Sequence, residues 1–350
     1  MAVLHNRISR RALKEKIGND PTPRTTISFY QYFHIEHPDS FRDQFYQALH
    51  VIGVLGRIYV ASEGVNAQIS VPTHQLVALR NSLDTYPPLQ GVRLNVAVHD
   101  EGKSFFVLDI KVRDKIVADG IDDPTFNMQR KGKYATPEQF NQLAQNPNTI
   151  IVDMRNYYEY EVGHFKNAIE IPSNTFREQL PMAAALLKDK KEATILMYCT
   201  GGIRCEKASA YLVHQGFSNV FHLEGGVINY ARQVKENKMS SLFIGKNFVF
   251  DERLGERITK DVIAHCHQCG SVADTHTNCK NEDCHLLFIQ CASCAALMEG
   301  CCSTTCRDML QLSEEERKKM RKGKDKGQQI FNKSKDRLKA VRSARGSEHY

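Results

Sequence analysis

A multidomain α/β protein is the fold class that the sequence predicts, and three observations predict it. Strand and helix patterns first follow in the order βαββαβ, and they then alternate as they do in a parallel sheet. Beyond these regions, nine of the 11 cysteines are crowded into one short segment. A chain of 350 residues is long enough for two or three domains. The expected regions are an N-terminal extension (1–25), a ferredoxin-like or acylphosphatase-like α+β sandwich (26–120), an α/β domain with a parallel sheet (130–240), a cysteine-rich metal module (265–306) and a basic helical tail (307–350).

The first domain is predicted from the spacing of its apolar residues. Alternating or β-branched runs indicate strands, and apolar residues three or four positions apart indicate helices. The predicted elements are strands at 26–33, 56–62, 65–71 and 92–98, helices at 39–49 and 73–83, and a further strand at 105–112. This fold carries many unrelated activities, so it indicates no function by itself. We expect ordinary surface or turn roles for Arg57, Glu63 and Asn66.

The second domain follows a polar linker at residues 120–133. Short apolar runs alternate with helical patterns, which is typical of a parallel sheet flanked by helices. The predicted elements are strands at 149–154, 168–171, 193–199 and 219–223, and helices at 136–143, 158–162, 175–187 and 204–214.

A glycine-containing loop between a strand and a helix carries the candidate nucleophile, Cys199. The loop comprises Cys199, Thr200, Gly201, Gly202, Ile203 and Arg204. Ligands of open α/β sheets bind at this edge, and successive backbone N–H groups at a helix start form an anion cradle. Such a cradle stabilises a thiolate, so we expect Cys199 to be reactive. Arg204 can either brace the loop or pair with an anionic ligand.

Several segments of this domain resemble the rhodanese family. They are residues 152–155, Glu159, residues 163–169, residues 171–172, the loop at 198–205 and residues 223–226. The resemblance implies that Cys199 can carry a persulfide, and that Asp153, Arg155 and His164 stabilise the fold around the pocket. Cys205 stands where plain sulfurtransferases usually carry Ser or Thr. It can serve as a resolving or disulfide-forming thiol, or simply pack at the start of the helix.

The cysteine-rich segment has the spacing of a zinc-binding module. Its cysteines are Cys266, Cys269, Cys279, Cys284, Cys291, Cys294, Cys301, Cys302 and Cys306. Two CxxC pairs and further close pairs favour up to two structural, all-thiolate zinc sites. Eight thiolates fill two tetrahedral sites, which leaves Cys301 or Cys302 as the spare. The spacing does not determine which cysteines share a metal, and an iron–sulfur cluster or a metal-free redox cluster remain alternatives.

The basic excess of the chain lies in its tail. The formal net charge is +7, and residues 307–350 hold 14 Lys or Arg against 7 Asp or Glu, so the rest of the chain is neutral. A polyanionic partner is therefore expected to meet the tail, although a solvated, disordered end is the alternative. The candidate RNA-binding residues are Lys318, Lys319, Arg321, Lys322, Lys324 and Lys326.

The whole arrangement resembles the bacterial tRNA uridine hydroxylase family. This resemblance implies oxygen-dependent conversion of the wobble uridine at tRNA position 34 to 5-hydroxyuridine, with tRNA as partner and molecular oxygen as co-substrate. Cys199 is the catalytic residue that we expect for this chemistry, and the electron donor is not indicated. One alternative is a sulfurtransferase that carries a persulfide on Cys199 and that could serve tRNA thiolation. A second is a non-enzymatic RNA-binding or redox-sensing protein.

The lengths of the apolar segments indicate where in the cell the protein is expected. No stretch approaches the roughly 20 apolar residues of a membrane span. The first residues have no apolar run of the kind found in secretory signals. We therefore expect a cytoplasmic protein.

Overall fold

Three regions of regular structure succeed one another along the chain, in the order that the sequence predicts. The computed structural model describes residues 10–98, 104–173 and 175–321. Across these ranges, no helix combines the length and the apolar character that crossing a membrane requires.

The N-terminal region is the predicted ferredoxin-like sandwich. Its elements are α1 (Arg10–Asn19), β1 (Arg24–Tyr32), α2 (Pro38–Val51), β2 (Leu55–Ala61), β3 (Gly64–Pro72), α3 (Leu76–Asp84), β4 (Asn95–Val96) and β5 (Leu108–Val112). The sheet has the order β4-β1-β3-β2-β5. Neighbours among the first four strands are antiparallel, and β5 adds to the edge of β2 in parallel. Strand β4 is much shorter than predicted.

The two faces of this sheet have different chemistry because strand side chains alternate. Ile27 and Phe29 of β1 pack into an apolar core with Phe45 of α2 and Leu79 of α3. Between them, Ser28 points to the opposite face, which lines a cavity above the central domain. We call this second side the open face of the N-terminal sheet. Its position places polar side chains next to the Cys199 loop.

The central region is the predicted parallel α/β domain. Its elements are β6 (Lys133–Ala135), α4 (Pro137–Ala144), β7 (Ile150–Asp153), α5 (Tyr157–Val162), β8 (Gly163–Phe165), β9 (Ile169–Glu170), α6 (Phe176–Leu186), β10 (Ile195–Tyr198), α7 (Ile203–His214), β11 (Val220–Leu223) and α8 (Gly226–Glu236). The sheet has the order β6-β11-β10-β7-β9, and all of its pairings are parallel. Strand β10 is therefore central, and Cys199 follows it.

Helix α8 is an element that the sequence analysis missed. Gly225 stands directly before this helix and Gly226 is its first residue. In the sequence, these two glycines suggested only the end of a strand. The structure shows why they are glycines. Gly226 has φ +65, and a Cβ on it would lie 2.5 Å from the Cys199 carbonyl oxygen, so the chain turns directly behind the nucleophile.

The C-terminal region is joined to the central domain by a strand. Its elements are β12 (Phe243–Asn247), β13 (Glu256–Arg257), β14 (His276–Asn278), β15 (Leu287–Ile289), α9 (Ala292–Leu297), α10 (Thr304–Leu310) and α11 (Glu314–Arg321). Strand β12 pairs antiparallel with β8. The segment between β12 and β13 reaches the cavity under the open face.

A buried charge network ties the N-terminal domain to helix α7. Lys207 is 2% exposed, and its Nζ lies 2.5 Å from Glu63 Oε2 and 3.0 Å from Asp119 Oδ2. One residue earlier on the same helix, Glu206 accepts a hydrogen bond of 2.8 Å from the Tyr30 hydroxyl. These contacts fix the open face over the start of α7. Glu63, expected to have an ordinary turn role, is thus an interdomain contact.

Lys207→Ala should destabilise the protein strongly, because it leaves the carboxylates of Glu63 and Asp119 without their buried cation. The expected loss is about 3–5 kcal/mol in the free energy of unfolding. Urea unfolding of the full chain measures it. Lys111→Ala is the matched control, since Lys111 forms an exposed pair with Asp109 and should cost no more than about 1 kcal/mol. Equal losses for both variants would contradict the interdomain role of Lys207.

Candidate active site and metal centres

Cys199 lies at the carboxyl end of β10, below the first turn of α7. Its side chain is almost completely buried, and its Sγ accepts a hydrogen bond of 3.2 Å from the Gly202 N–H. Gly202 has φ +102, and a Cβ there would lie 3.0 Å from the Tyr30 hydroxyl oxygen. Glycine is therefore needed twice over at this position, for the backbone turn and for the close approach of the N-terminal domain.

The surroundings of Cys199 favour its ionised form. Burial alone would raise the pKa of the thiol, but a hydrogen bond from Cys205, the charge of Arg204 and the N–H groups of Cys205 and Gly202 lower it to about 6. Cys199 is therefore mainly a thiolate at neutral pH. In this loop the Gly202 N–H group donates to the cysteine sulfur itself.

Arg204 braces the loop. Its Nη1 and Nη2 donate to the two oxygens of Glu159 at 2.7 and 2.8 Å, and the Thr200 hydroxyl donates to the same carboxylate at 2.9 Å. Burial alone would raise the pKa of Glu159, but the charge and hydrogen bonds of Arg204 hold it below its ordinary value. Of the two roles that the sequence left open for Arg204, the geometry matches the structural one.

Asp153, Arg155 and His164 make their contacts with the framework below the loop. Arg155 is fully buried and donates to Asp153 Oδ2 at 2.7 Å and to the Gly163 carbonyl at 2.6 Å. Asp153 also accepts from the Tyr198 hydroxyl at 2.5 Å. The His164 ring lies within hydrogen-bonding distance of a backbone carbonyl through Nδ1, 3.0 Å away, and stacks on a tyrosine. These contacts join the strand ends that carry the site.

Cys205 is the second thiol of the site. It lies in the first turn of α7, is fully buried, and belongs to the same apolar cluster as Cys199. Burial first, and then the hydrogen bond to the neighbouring sulfur, raise the pKa of Cys205 well above its ordinary value. Ionisation is therefore favoured at Cys199 and disfavoured at Cys205.

A cavity of about 720 Å³ separates the Cys199 loop from the open face of the N-terminal sheet. Thr200 and Gly201 of the loop form its floor, Tyr30 of β1 lies in its roof, and Phe250 and Arg253 close one side. Sites for small ligands commonly enclose roughly 300–1,000 Å³. The space is thus sufficient for one nucleotide, and all three regions of the chain contribute to it.

Three buried polar atoms of cavity-lining residues have no hydrogen-bond partner among the residues that the structure describes. They are Ser28 Oγ, Arg57 Nε and Glu256 Oε2. Burial raises the pKa of Glu256, although Arg253 opposes this effect. Such groups are costly unless a ligand or water satisfies them, so they mark the polar wall of the cavity.

The sequence analysis missed this wall of the site. Arg57 and Asn66 were expected to have only surface or turn roles, yet both line the cavity. A signal was available, because the non-core positions of β1 and β3 carry the polar residues Ser28 and Gln68. What covers such a face is decided only by the tertiary structure.

The cysteine-rich module contains two groups of four sulfur atoms, each able to hold a metal ion. One group is Cys266, Cys269, Cys291 and Cys294, and the other is Cys279, Cys284, Cys302 and Cys306. Within each group the sulfurs lie within 4.8 Å of one another, as in the 3.4 Å between Cys269 and Cys291. A tetrahedral zinc site with bonds of about 2.3 Å places its sulfurs about 3.8 Å apart, so both groups fit. Cys301 belongs to neither group and is the spare.

The predicted RNA-binding residues fall at the end of the described chain. Lys318, Lys319 and Arg321 belong to helix α11, where Lys319 is exposed. The remaining three, Lys322, Lys324 and Lys326, lie outside the described residues.

Comparison with known proteins agrees with this architecture along nearly the whole chain. Family models match residues 24–116 (UPF0176 acylphosphatase like domain), 136–233 (Rhodanese-like domain) and 244–307 (Rhodanase C-terminal). The tRNA uridine(34) hydroxylase of Pectobacterium atrosepticum is 59% identical over 342 residues, which cover 97% of this chain and 96% of that protein. The tRNA uridine(34) hydroxylase of Photorhabdus laumondii is 60% identical over 339 residues, with the same coverage. The chain therefore belongs to the tRNA uridine(34) hydroxylase family.

Proposed function

We propose that this protein hydroxylates C5 of the wobble uridine, at position 34 of tRNA, to give 5-hydroxyuridine. The observation that carries the proposal is the cavity of nucleotide size above a stabilised thiolate, in a chain about 60% identical to proteins named for this activity. An anticodon base is unpaired and can be turned out of its loop into such a pocket. A tRNA substrate also fits a cytoplasmic location.

Cys199 acts as the nucleophile. C5 of uracil is not electron-rich enough to react with oxygen unaided. Addition of a thiolate to C6 makes C5 nucleophilic, and Cys199 precedes Thr200 and Gly201, which line the cavity. Ser28, Arg57 and Glu256 offer unpartnered polar atoms that can orient the ring. Asp153, Arg155 and His164 act only by positioning the loop.

Zinc holds the cysteine-rich module together in this proposal. Four thiolates complete a tetrahedral shell, so neither group leaves an open position for chemistry. The ions would supply folding energy for a segment with few strands of its own. Through β12 and the β12–β13 segment, this module keeps Phe250 and Glu256 at the cavity.

Cys199→Ser should abolish 5-hydroxyuridine in tRNA, because a serine hydroxyl is not ionised at neutral pH and does not add to C6. The expected loss is at least about a hundredfold. Mass analysis of nucleosides from a deletion strain complemented with the variant measures it. Cys301→Ser is the matched control, since it removes a buried cysteine outside both metal groups.

Nucleoside analysis also separates this proposal from tRNA thiolation. A deletion strain that keeps its 5-hydroxyuridine but lacks a sulfur-bearing uridine would establish the sulfurtransferase alternative. Full activity of the Cys199→Ser variant would remove any covalent role of the cysteine.

The purified protein should contain about two zinc ions per chain, and Cys266→Ser combined with Cys294→Ser should lower this to about one. Elemental analysis of the protein measures the metal content. The control, Cys301→Ser, should keep both ions. Stoichiometric iron with visible charge-transfer absorption would instead identify an iron–sulfur cluster.

Truncation after residue 312 should weaken tRNA binding and flatten its salt dependence, because it removes the six basic candidates. Each lost phosphate contact should reduce the slope of log affinity against log salt by about 0.7–0.9. Titration of tRNA at several salt concentrations measures both. Truncation after residue 328 keeps the six candidates but removes six other Lys or Arg, so its salt dependence should lie between those of the full chain and of the chain truncated after residue 312. An unchanged slope for the chain truncated after residue 312 would exclude the tail from the tRNA interface.

A further inference from the structure

Hydroxylation by molecular oxygen sets an electron requirement that the nucleophile alone does not meet. One oxygen atom enters the product, and the other must leave as water after taking up two electrons and two protons. Cys199 adds to the base and is later released from it in its original oxidation state. It therefore supplies no net electrons by that step. The reaction therefore needs a two-electron donor in addition to the nucleophile.

Cys205 is placed to be part of that donor. It is fully buried in the apolar cluster that also contains Cys199, and it lies close enough to the Cys199 sulfur to lower the pKa of that thiol. The two cysteines are six positions apart along the chain, and the turn at Gly202, with φ +102, lies between them. Two thiols in contact can surrender two electrons by forming one disulfide.

We propose that Cys199 and Cys205 form a redox dithiol that supplies the two electrons of each hydroxylation and ends the cycle as a disulfide. The inference rests on the proposed function. It assigns Cys205 as a second catalytic residue, because its sulfur reacts in the proposed cycle.

The first half of the cycle places oxygen on C5. The Cys199 thiolate bonds to C6, and the electron pair displaced onto C5 passes to molecular oxygen. With one proton from solvent, the product of this step is a C5 hydroperoxide. Because C5 adjoins C6, the hydroperoxide forms next to the two sulfurs.

The second half consumes the thiols. The Cys205 sulfur takes the outer oxygen as the O–O bond breaks, which leaves a C5 hydroxyl and a Cys205 sulfenic acid. Loss of the C5 proton and of Cys199 from C6 restores the ring double bond and frees 5-hydroxyuridine. The Cys199 thiolate then attacks the sulfenic sulfur, and water leaves. The sum is uridine, oxygen and two thiols giving 5-hydroxyuridine, water and one disulfide.

The protonation states of the two residues suit these steps. Cys199 must add as a thiolate, and its pKa is lowered to about 6. Cys205 must lose its proton as it attacks the O–O bond. Burial and the neighbouring Cys199 thiolate raise the pKa of Cys205, and the effect of the thiolate is removed once Cys199 is bonded to C6. A thiol reductant of the cell would reopen the disulfide after the product leaves.

A single-turnover experiment on the full-length, zinc-loaded protein tests the inference. The protein is reduced, freed of reductant without oxygen, and then mixed with an unmodified tRNA transcript bearing uridine 34 and with oxygen. We expect product to level off at about one 5-hydroxyuridine per chain, with an equal amount of Cys199–Cys205 disulfide. Adding dithiothreitol should restore multiple turnover. Trypsin cleaves after Arg204, between the two cysteines, so the disulfide appears as a linked peptide pair in the mass spectrum.

Two variants separate electron supply from positioning. Cys205→Ser keeps a hydrogen-bond donor beside Cys199 but cannot be oxidised, whereas Cys205→Ala removes both properties. Without added reductant, both should lower product at least about tenfold, and neither should form the disulfide. Cys301→Ser should behave as the wild type.

The outcomes distinguish failure of the inference from failure of the proposed function. Wild-type product in excess of the disulfide formed, or full single-turnover yield from Cys205→Ser, would overturn the dithiol role while leaving hydroxylation intact. Wild-type protein that forms no 5-hydroxyuridine even with dithiothreitol would instead contradict the proposed function.

Discussion

Keeping a sulfur anion inside an apolar cluster is the physical constraint on which the rest of this structure depends. Burial disfavours the Cys199 thiolate, so hydrogen bonds and a fixed cation must compensate for the lost solvent. The Gly202 N–H points at the sulfur, Cys205 donates to it, and Arg204 supplies the charge. Arg204 is itself buried and needs a partner, which Glu159 provides with both oxygens. Each buried charged group thus requires a further partner, so the network of contacts extends outward from the Cys199 sulfur.

Helix α5 carries this requirement across to the cysteine-rich module. Glu159 faces the Cys199 loop. Two residues further along the helix, the Oε1 atom of Glu161 lies 2.9 Å from Nε2 of His267, a residue that stands in the sequence between two cysteines of the first metal group. Strand β12 adds a second connection through β8. On the opposite side, Lys207 and Glu206 anchor the N-terminal sheet over the same loop. The loop is therefore held from both sides, and the cavity exists only where the three regions meet. The Cys199 loop is in this way enclosed beneath a cavity to which all three regions contribute.

Much of this organisation could be predicted from local sequence. The βαββαβ order, the alternating central domain and the paired cysteines each depend on residues close together in the chain, where periodicity and spacing are informative. The open face of the N-terminal sheet could not be predicted in the same way. Ser28 and Arg57 look like ordinary solvent-facing strand residues, because alternation shows only that they turn away from the core. Helix α8 was hidden by two glycines whose purpose is a close approach to the nucleophile loop.

The sequence by itself determined the candidate nucleophile, its glycine turn, the cysteines that could bind metal and the basic tail. These features are encoded in contiguous motifs whose chemistry follows from residue type and spacing. The tertiary structure decided which cysteines share a site and left Cys301 as the spare, because spacing along the chain does not fix distances in space. It also decided that Arg204 braces the loop, since its partner Glu159 is 45 residues away. Above all it formed the cavity, whose walls come from segments distant in sequence and come together only through long-range packing.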